Sequence, residues 1–225
     1  MGVMRESTDS DIVIEKTRFA SETDDPQVLT DIYNEQCNIA IWRRRLPTEF
    51  LQQVAQDISS DPMLNKTVQV RADNIENDIA TIAADRVYGE QLRLYIHDIV
   101  DMFCILFDTN KVGLRLSVLD KAMCPRFHFD RVPCRLVTTF SGIGTQWLPN
   151  NKINMNKLGH GSGGKSDEES GLIATEADIQ SLACGDVALL KGDTWEGNEG
   201  SALVHRSPPL KTDEYRLLMT VDFVA

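Results

Sequence analysis

Long apolar runs are missing from this 225-residue chain. No stretch approaches 18 uninterrupted apolar residues, so no membrane-spanning helix and no membrane partner are expected. No leader of signal-peptide type is expected either. The opening MGVMRESTDSDIVIEK has acids from the start and no apolar centre. Its Met-Gly start lacks the small hydroxyl residue that acylation wants at position 6, where Glu6 stands. Cysteines number five, an odd count with no Cys-x-x-Cys, which argues against a disulfide framework and for reduced thiols. Together these features make a cytoplasmic location the expectation. Positive charge is scarce too. Lys and Arg number 23 against 34 Asp and Glu, a formal net charge of -11. Such a surface repels phosphate backbones, so nucleic acid is not an expected partner. The dense basic cluster Arg43, Arg44, Arg45 is too short for a nucleic-acid footprint and reads as a solvated or ion-paired helix face. No internal repeat is present.

What is there is an ordinary apolar fraction of 42%, enough for a globular core at this length. The texture divides the chain in three. Residues 1–26 are polar and acidic and read as an extended arm, with one short strand at 11–14. Residues 27–111 read as a mainly helical support. Val28, Leu29, Ile32, Tyr33 and Cys37 recur at helical spacing, and Leu46-Pro47 opens a second helix. Residues 67–71 suit a strand. Residues 75–108 suit a long helix with Leu92, Ile96, Ile99, Val100 and Phe103 on its buried stripe. From residue 112 onward short β-type runs alternate with turn residues, at 112–119, 127–131, 135–140, 146–148, 186–190, 202–205 and 216–223. Almost no helix-length pattern separates them; one short helix at 175–182 is expected. That favours an antiparallel double sheet or barrel in one structural domain, with the helix at 75–108 packed outside it. The Gly-rich insert at 149–171 suits a mobile loop or an active-site lid. It lacks the strand–GxxxxGK[ST]–helix setting of a phosphate cradle.

Chemistry concentrates in Cys124-Pro125-Arg126-Phe127-His128-Phe129-Asp130. Residues two apart on a strand point to one face, so His128 and Asp130 offer an imidazole and a carboxylate to one point. A second histidine would complete a two-histidine, one-carboxylate face, which leaves three octahedral positions open and suits non-haem Fe(II). Four histidines exist. His97 falls on the long helix and His160 in the Gly-rich insert, whereas His205 ends the strand-like Ala202-Leu203-Val204-His205 and is the choice. Arg216 then opens the apolar run Leu217-Leu218-Met219-Thr220-Val221. A guanidinium in such a strand needs an anionic partner, and its planar fork matches a carboxylate.

The ordered set His128-x-Asp130, His205 and Arg216 resembles the motif of the Fe(II)- and 2-oxoglutarate-dependent dioxygenases. That family folds as a double-stranded β-helix, a jelly roll related to the cupins. The resemblance covers residues 112–225. It implies an α+β protein with a jelly-roll core, His128, Asp130 and His205 as iron ligands, and Arg216 as the anchor of the 2-oxoglutarate carboxylate. The family pattern commonly has Ser or Thr two residues after the Arg. Here Leu218 stands there, and Thr220 is the nearest hydroxyl on that face. The whole chain, above all Cys-Pro-Arg-Phe-His-Phe-Asp-Arg-Val-Pro and Gly-Thr-Gln-Trp-Leu, is also similar to a bacterial domain-of-unknown-function family encoded near zinc-homeostasis genes.

Each residue has a plainer role. His128 and Asp130 suit a surface histidine and a cap, His205 a buried histidine bonded to a carbonyl, and Arg216 a structural ion pair. Cys124 suits a small core residue or, as a fourth ligand, a tetrahedral zinc site in a non-catalytic module of metal homeostasis. Arg126, Arg131 and Arg135 offer charge near the site. Trp147 and Trp195 suit its mouth or the core.

Overall fold

The computed structural model describes residues 18–224. Most of the expected arm, including its strand at 11–14, lies outside these residues.

The core follows from alternation along the strands. Strand β10 (Arg216–Phe223) pairs antiparallel with β4 (Lys111–Leu119) on one side and β5 (Cys134–Ser141) on the other. Beyond β5 lies β8 (Val187–Lys191), also antiparallel. Facing these four is a smaller sheet in the order β7 (Gln180–Ser181), β6 (Gln146–Leu148), β9 (Val204–Arg206). A single antiparallel bridge between His128 and His205 adds the chain at 128 to its edge. In chain order the backbone therefore visits β4, then residue 128, β5, β6, β7, β8, β9 and β10. It winds between a four-stranded and a facing sheet with antiparallel neighbours throughout, which is a double-stranded β-helix. The protein is α+β with this jelly-roll core.

The N-terminal region adds β1 (Phe19–Thr23), β2 (Cys37–Trp42) and β3 (Asn65–Arg71) to the larger sheet, which then has seven strands in the order β1-β2-β8-β5-β10-β4-β3. Here the structure corrects the helical reading around Cys37, while the helix expected from Leu46-Pro47 onward is present. A 3-10 helix, Pro26–Tyr33, precedes a strand, β2 (Cys37–Trp42), which pairs antiparallel with β8 and parallel with β1 (Phe19–Thr23). Ile39 and Ile41 fill one face of β2 while Cys37 and Ala40 fill the other. A strand buried on both faces shows no polar alternation, so its apolar residues mimicked helical spacing. α1 (Thr48–Ser60) follows, and β3 (Asn65–Arg71) pairs with β4 at the far edge.

The expected helix at 75–108 is broken. A short α2 (Ile75–Asp78) and an irregular stretch precede α3 (Gly89–Leu106). Ala83 adopts φ 49, and a Cβ on Gly89 would stand 1.8 Å from its carbonyl oxygen. Only glycine allows that approach, so the helix restarts there. Phe50, Val54 and Ile58 of α1 and Leu92, Ile96, Ile99, Val100 and Phe103 of α3 cover one face of the larger sheet. They meet Leu114 and Leu116 of β4, Leu136 of β5, Leu189 of β8 and Leu217, Met219 and Val221 of β10. Each fully buried side chain of this kind contributes about 1.5–3 kcal/mol. The other face of the same strands looks into the barrel. At its β2-β8 end, Ile39, Ile41, Ala188 and Leu190 close against Trp147, Leu182 and Leu203 of the smaller-sheet side.

Residues 149–173, expected as a mobile loop or lid, have a packed inner side. They fold into short 3-10 turns whose Ile153, Met155, Leu158, Leu172 and Ile173 pack with Phe127, Leu148 and Val204. Those three belong to the back of the smaller sheet, so this segment is a cover for that outer face. Among the described residues no helix is long and apolar enough to cross a membrane.

Candidate metal centre and the buried arginine

The bridge at His128 and His205 sets the site. Each backbone donates to the other, His128 N–H to the His205 carbonyl at 3.0 Å and His205 N–H to the His128 carbonyl at 2.9 Å. Directly paired residues project to the same face, so the two imidazoles meet, with ring centroids 4.6 Å apart. Asp130 closes the group. Its Oδ1 lies 3.7 Å from His128 Nε2 and its Oδ2 3.6 Å from His205 Nε2. One potential ligand atom from each of the three residues lies within 4.8 Å of the other two.

The ring nitrogens not facing Asp130 are engaged. His128 Nδ1 is 2.9 Å from the Arg126 carbonyl, and His205 Nδ1 is 3.3 Å from the Leu203 carbonyl. A carbonyl only accepts, so Nδ1 carries a proton in each ring and Nε2 is the nitrogen turned toward the centre of the group. His205 is buried, and the cost of desolvating an imidazolium pushes its pKa down to about 4 against the opposing pull of Asp130. It is neutral at physiological pH. Arg135 steadies the carboxylate: its Nη1 lies 2.7 Å from Asp130 Oδ2, while its Nε and Nη2 hold Asp222 at 2.7 and 3.2 Å. The charge that the sequence offered at Arg135 is thus spent on two protein acids. Arg126 turns toward Asp167 and the Lys165 carbonyl.

Arg216 is fully buried, at 0% exposure. Among the described residues no carboxylate lies within ion-pairing reach of it. Its partners are hydroxyls: Ser207 Oγ at 3.4 Å, Thr139 Oγ1 at 3.2 Å and Thr145 Oγ1 at 3.3 Å, and its Nε has no partner. Burial alone lowers its pKa to about 10, so it remains a cation. The structural ion pair weighed for Arg216 is therefore absent among the described residues. Two local features set it there. The register between β10 and β5 shifts between Leu217 and Leu218, a bulge that re-aims the strand start. Gly142 at φ 85 lets Arg216 approach, since a Cβ there would stand 3.0 Å from the Arg216 Cα.

Alternation puts Arg216, Leu218, Thr220 and Asp222 on the inner face of β10. Leu218, Thr220 and Asp222 join Arg115, Ser117, Met123 and Arg135 around a cavity of about 80 Å³. Arg135 connects that cavity to Asp130. A larger cleft of about 410 Å³ opens at the opposite seam, between Arg18, Phe19 and Asn38 on one side and Trp147, Asn150 and Gln180 on the other. It contains none of the four residues singled out.

Other candidates fall elsewhere. His97 is half-buried on α3 beside Asp98, and His160 is exposed in the 149–173 segment. Cys124 is exposed and is not among the converging ligand atoms, so no four-donor tetrahedron forms. Trp147 is buried opposite His205, whereas Trp195 packs outside the barrel against Tyr33 and Phe107. Sequence reasoning missed Thr139, Thr145 and Ser207. Ser207 had a usable signal, two residues after His205 and just past the end of β9. The threonines had none, because they reach Arg216 through the bulge and a sheet-to-sheet crossing.

Fold and site together define a double-stranded β-helix protein with a His–Asp–His cluster at one end and an acid-free arginine inside. The chain belongs to the family described as Protein of unknown function (DUF1826), whose model matches residues 23–222. Among solved structures it is similar to the dioxygenase for auxin oxidation 1 of Arabidopsis thaliana in its 2-oxoglutarate complex. That match has 8% identity over 93% of each chain and a TM-score of 0.48. It is similar to a prolyl-4-hydroxylase of Pseudomonas putida, at 11% identity over 87% of this chain and 96% of that one, TM-score 0.40. It is also similar to the Kdo hydroxylase KdoO, a non-heme Fe(II) alphaketoglutarate-dependent dioxygenase solved with cobalt(II). Identity there is 11% over 91% of this chain and 88% of that one, TM-score 0.47. No curated protein matches the chain in sequence.

Proposed function

We propose that the chain is a non-haem Fe(II)- and 2-oxoglutarate-dependent oxygenase acting on a small-molecule substrate. In this reading His128, Asp130 and His205 hold the metal, and Arg216 anchors the far carboxylate of 2-oxoglutarate. The donor set supports the first part. Two imidazoles presenting Nε2, with one carboxylate between them, make a three-ligand face with the remaining positions open. One ligand atom from each residue lies within 4.8 Å of the other two, so modest side-chain movement would bring all three onto one ion. The Nδ1 bonds to carbonyls are the outer contacts that orient such rings.

The observation that carries the reading is Arg216. A buried guanidinium without an acid is costly, and here one is kept inside the barrel on hydroxyl partners with Nε unspent. A dicarboxylate that reaches the metal at one end and Arg216 at the other would neutralise it, through a bidentate pair. Thr139, Thr145 and Ser207 then do what the missing hydroxyl at Leu218 would do.

When bound, Fe(II) with 2-oxoglutarate supplies activation of O2 and oxidation of a substrate C–H bond. The chain itself orients and excludes water. Arg135 holds Asp130 in place, the apolar cluster around Trp147 and Leu190 seals one end, and the cavity beside Arg135 receives the substrate group. Cys124 lies outside the ligand group, so the zinc-module alternative gains nothing.

The test is anaerobic titration of the Fe(II)-loaded protein with 2-oxoglutarate, following the metal-to-ligand absorbance band. The wild type gives the band with one equivalent of metal. A wild type that takes up Fe(II) but shows no band refutes the cosubstrate, and one that takes up no metal refutes the whole reading.

A further inference from the structure

We propose that Asp167 is a positioning residue for the His–Asp–His cluster, tying the His128 and His205 chains together from behind; this rests on the metal-site reading above. Alternation carries the argument first. His128 and His205 point into the barrel, so their neighbours Phe127, Val204 and Arg206 point out, toward the 149–173 segment. Phe127 and Val204 are buried beneath that segment. Asp167 comes from it and is itself only 6% exposed. Its Oδ2 accepts from Phe127 N–H at 2.8 Å, one residue from His128, and from Arg206 Nη1 at 3.3 Å, one residue from His205. A single carboxylate oxygen thus spans the two chains whose histidines must converge.

The tie is braced at every end. Arg206 lies over the Phe127 ring, 4.4 Å from its centroid, and donates through Nε to Gln146 Oε1 of β6 at 2.9 Å. Asp167 is held in turn by Ser170, whose hydroxyl donates to the Asp167 carbonyl at 3.0 Å and accepts from Leu172 N–H at 3.1 Å. Backbone support between the two histidine chains is short. Among the described residues it consists of the bridge at His128 and His205 and a bond from Ser207 N–H to the Cys124 carbonyl at 2.9 Å. With so short a ladder, side-chain ties decide how far the two Nε2 atoms wander, and outer contacts of this kind typically change metal affinity about 10–100-fold. Asp167 touches neither a candidate ligand side chain nor the cavity beside Arg135, so it acts through Phe127, Arg206 and Arg126, whose Nε stands 3.6 Å from its Oδ1. Its neighbour Glu168 also reaches Arg206, at 3.0 Å, but from an exposed position and without Phe127.

The experiment pairs two readouts on full-length protein. Co(II) titration follows ligand-field absorbance, and amide hydrogen exchange is measured without metal. Asp167→Ala should weaken Co(II) binding by about tenfold or more and change the absorbance envelope. Asp167→Asn should recover part of this, because its amide oxygen still accepts from Phe127 N–H while the charge for Arg206 is gone. Glu168→Gln should stay within about twofold, the span of an exposed contact. Without metal, Asp167→Ala should raise exchange at the His128 and His205 amides while the Leu217 and Met219 amides keep their protection. In a wild type that binds Co(II), unchanged affinity in Asp167→Ala overturns the proposal. So does exchange that rises equally at Leu217 and Met219, which would mark a general loss of stability. A wild type that binds no Co(II), with the selective exchange change still seen, leaves the tie standing and removes the metal reading.

Discussion

Strand β10 has two faces, and they follow different rules. Leu217, Met219 and Val221 face the helices and are fully buried among Leu, Ile, Val and Phe. Arg216, Leu218, Thr220 and Asp222 face the barrel, where a guanidinium rests on hydroxyls and a carboxylate shares Arg135 with Asp130. The outer face lowers the free energy of the fold. The inner face raises it locally, by keeping Arg216 buried without an acid and His205 buried beside His128. Stability and chemistry are thus separated by one residue of register, and substitutions on one face should spare the other.

The largest effect expected is on the inner face. His128→Ala or His205→Ala should abolish stoichiometric Fe(II) or Co(II) binding, because one of three protein donors is lost. His97→Ala, on α3, should bind as the wild type does. Metal analysis after desalting reads all three, and equal content would erase the distinction between the faces.

On the outer face, Leu217→Ala should cost about 2–5 kcal/mol of unfolding free energy, the range for a buried Leu truncated in a packed core. Denaturant unfolding measures it. The folded fraction should still bind one metal. Loss of both properties together would show that the faces are coupled.

Next comes pH. The folded pKa of His205 is lowered to about 4 from an ordinary value of 6.5, by burial first. The unfolded chain therefore binds the proton more readily. This group's contribution is present in full above pH 6.5 and is lost as pH falls toward 4, an effect of about 3 kcal/mol at most. Metal-free unfolding from about pH 7 to about pH 4 should show the loss. His205→Gln should remove most of it, and an unchanged slope in that variant would assign the acid sensitivity elsewhere.

The smallest effect sharpens the role of Arg216. Arg216→Ala should leave metal binding nearly intact and weaken 2-oxoglutarate by about 1.5–3 kcal/mol, the scale of charge-assisted hydrogen bonds. Arg216→Lys should restore part, because an ammonium cannot reproduce the fork. Anaerobic titration separates the variants, and equal affinity in all of them would leave the buried charge without its proposed partner.

Several of these features were legible in the residues alone. The period of two in 112–119, 135–140 and 216–223 marked strands that the structure has, with ends moved by a residue or so. His128-x-Asp130 with His205 marked a group that the fold does bring together. The segment around Cys37 was misread because both of its faces are buried, which erases the alternation that identifies a strand. The broken helix before Gly89 was misread because a turn forced by one close backbone approach leaves no trace in hydrophobic spacing. The Gly-rich insert was expected to be mobile or a lid. Its Leu172 and Ile173 instead bury the back of the smaller sheet, a pairing with Phe127 and Val204 that no local pattern announces.

By itself the sequence determined the local periods: where side chains alternate, where glycine permits a turn, and which few residues carry donor atoms or charge of the right kind for a site. Those are properties of neighbouring residues, and short-range sterics and hydrophobic pattern encode them. Only the tertiary structure decided which hydroxyls meet Arg216, that Arg135 serves two carboxylates, and that Asp167 reaches the chains of both histidines. Each of these joins residues far apart in the chain across two sheets. Their distances depend on sheet register, a bulge and the packing of a covering segment, and these are settled by the whole core at once.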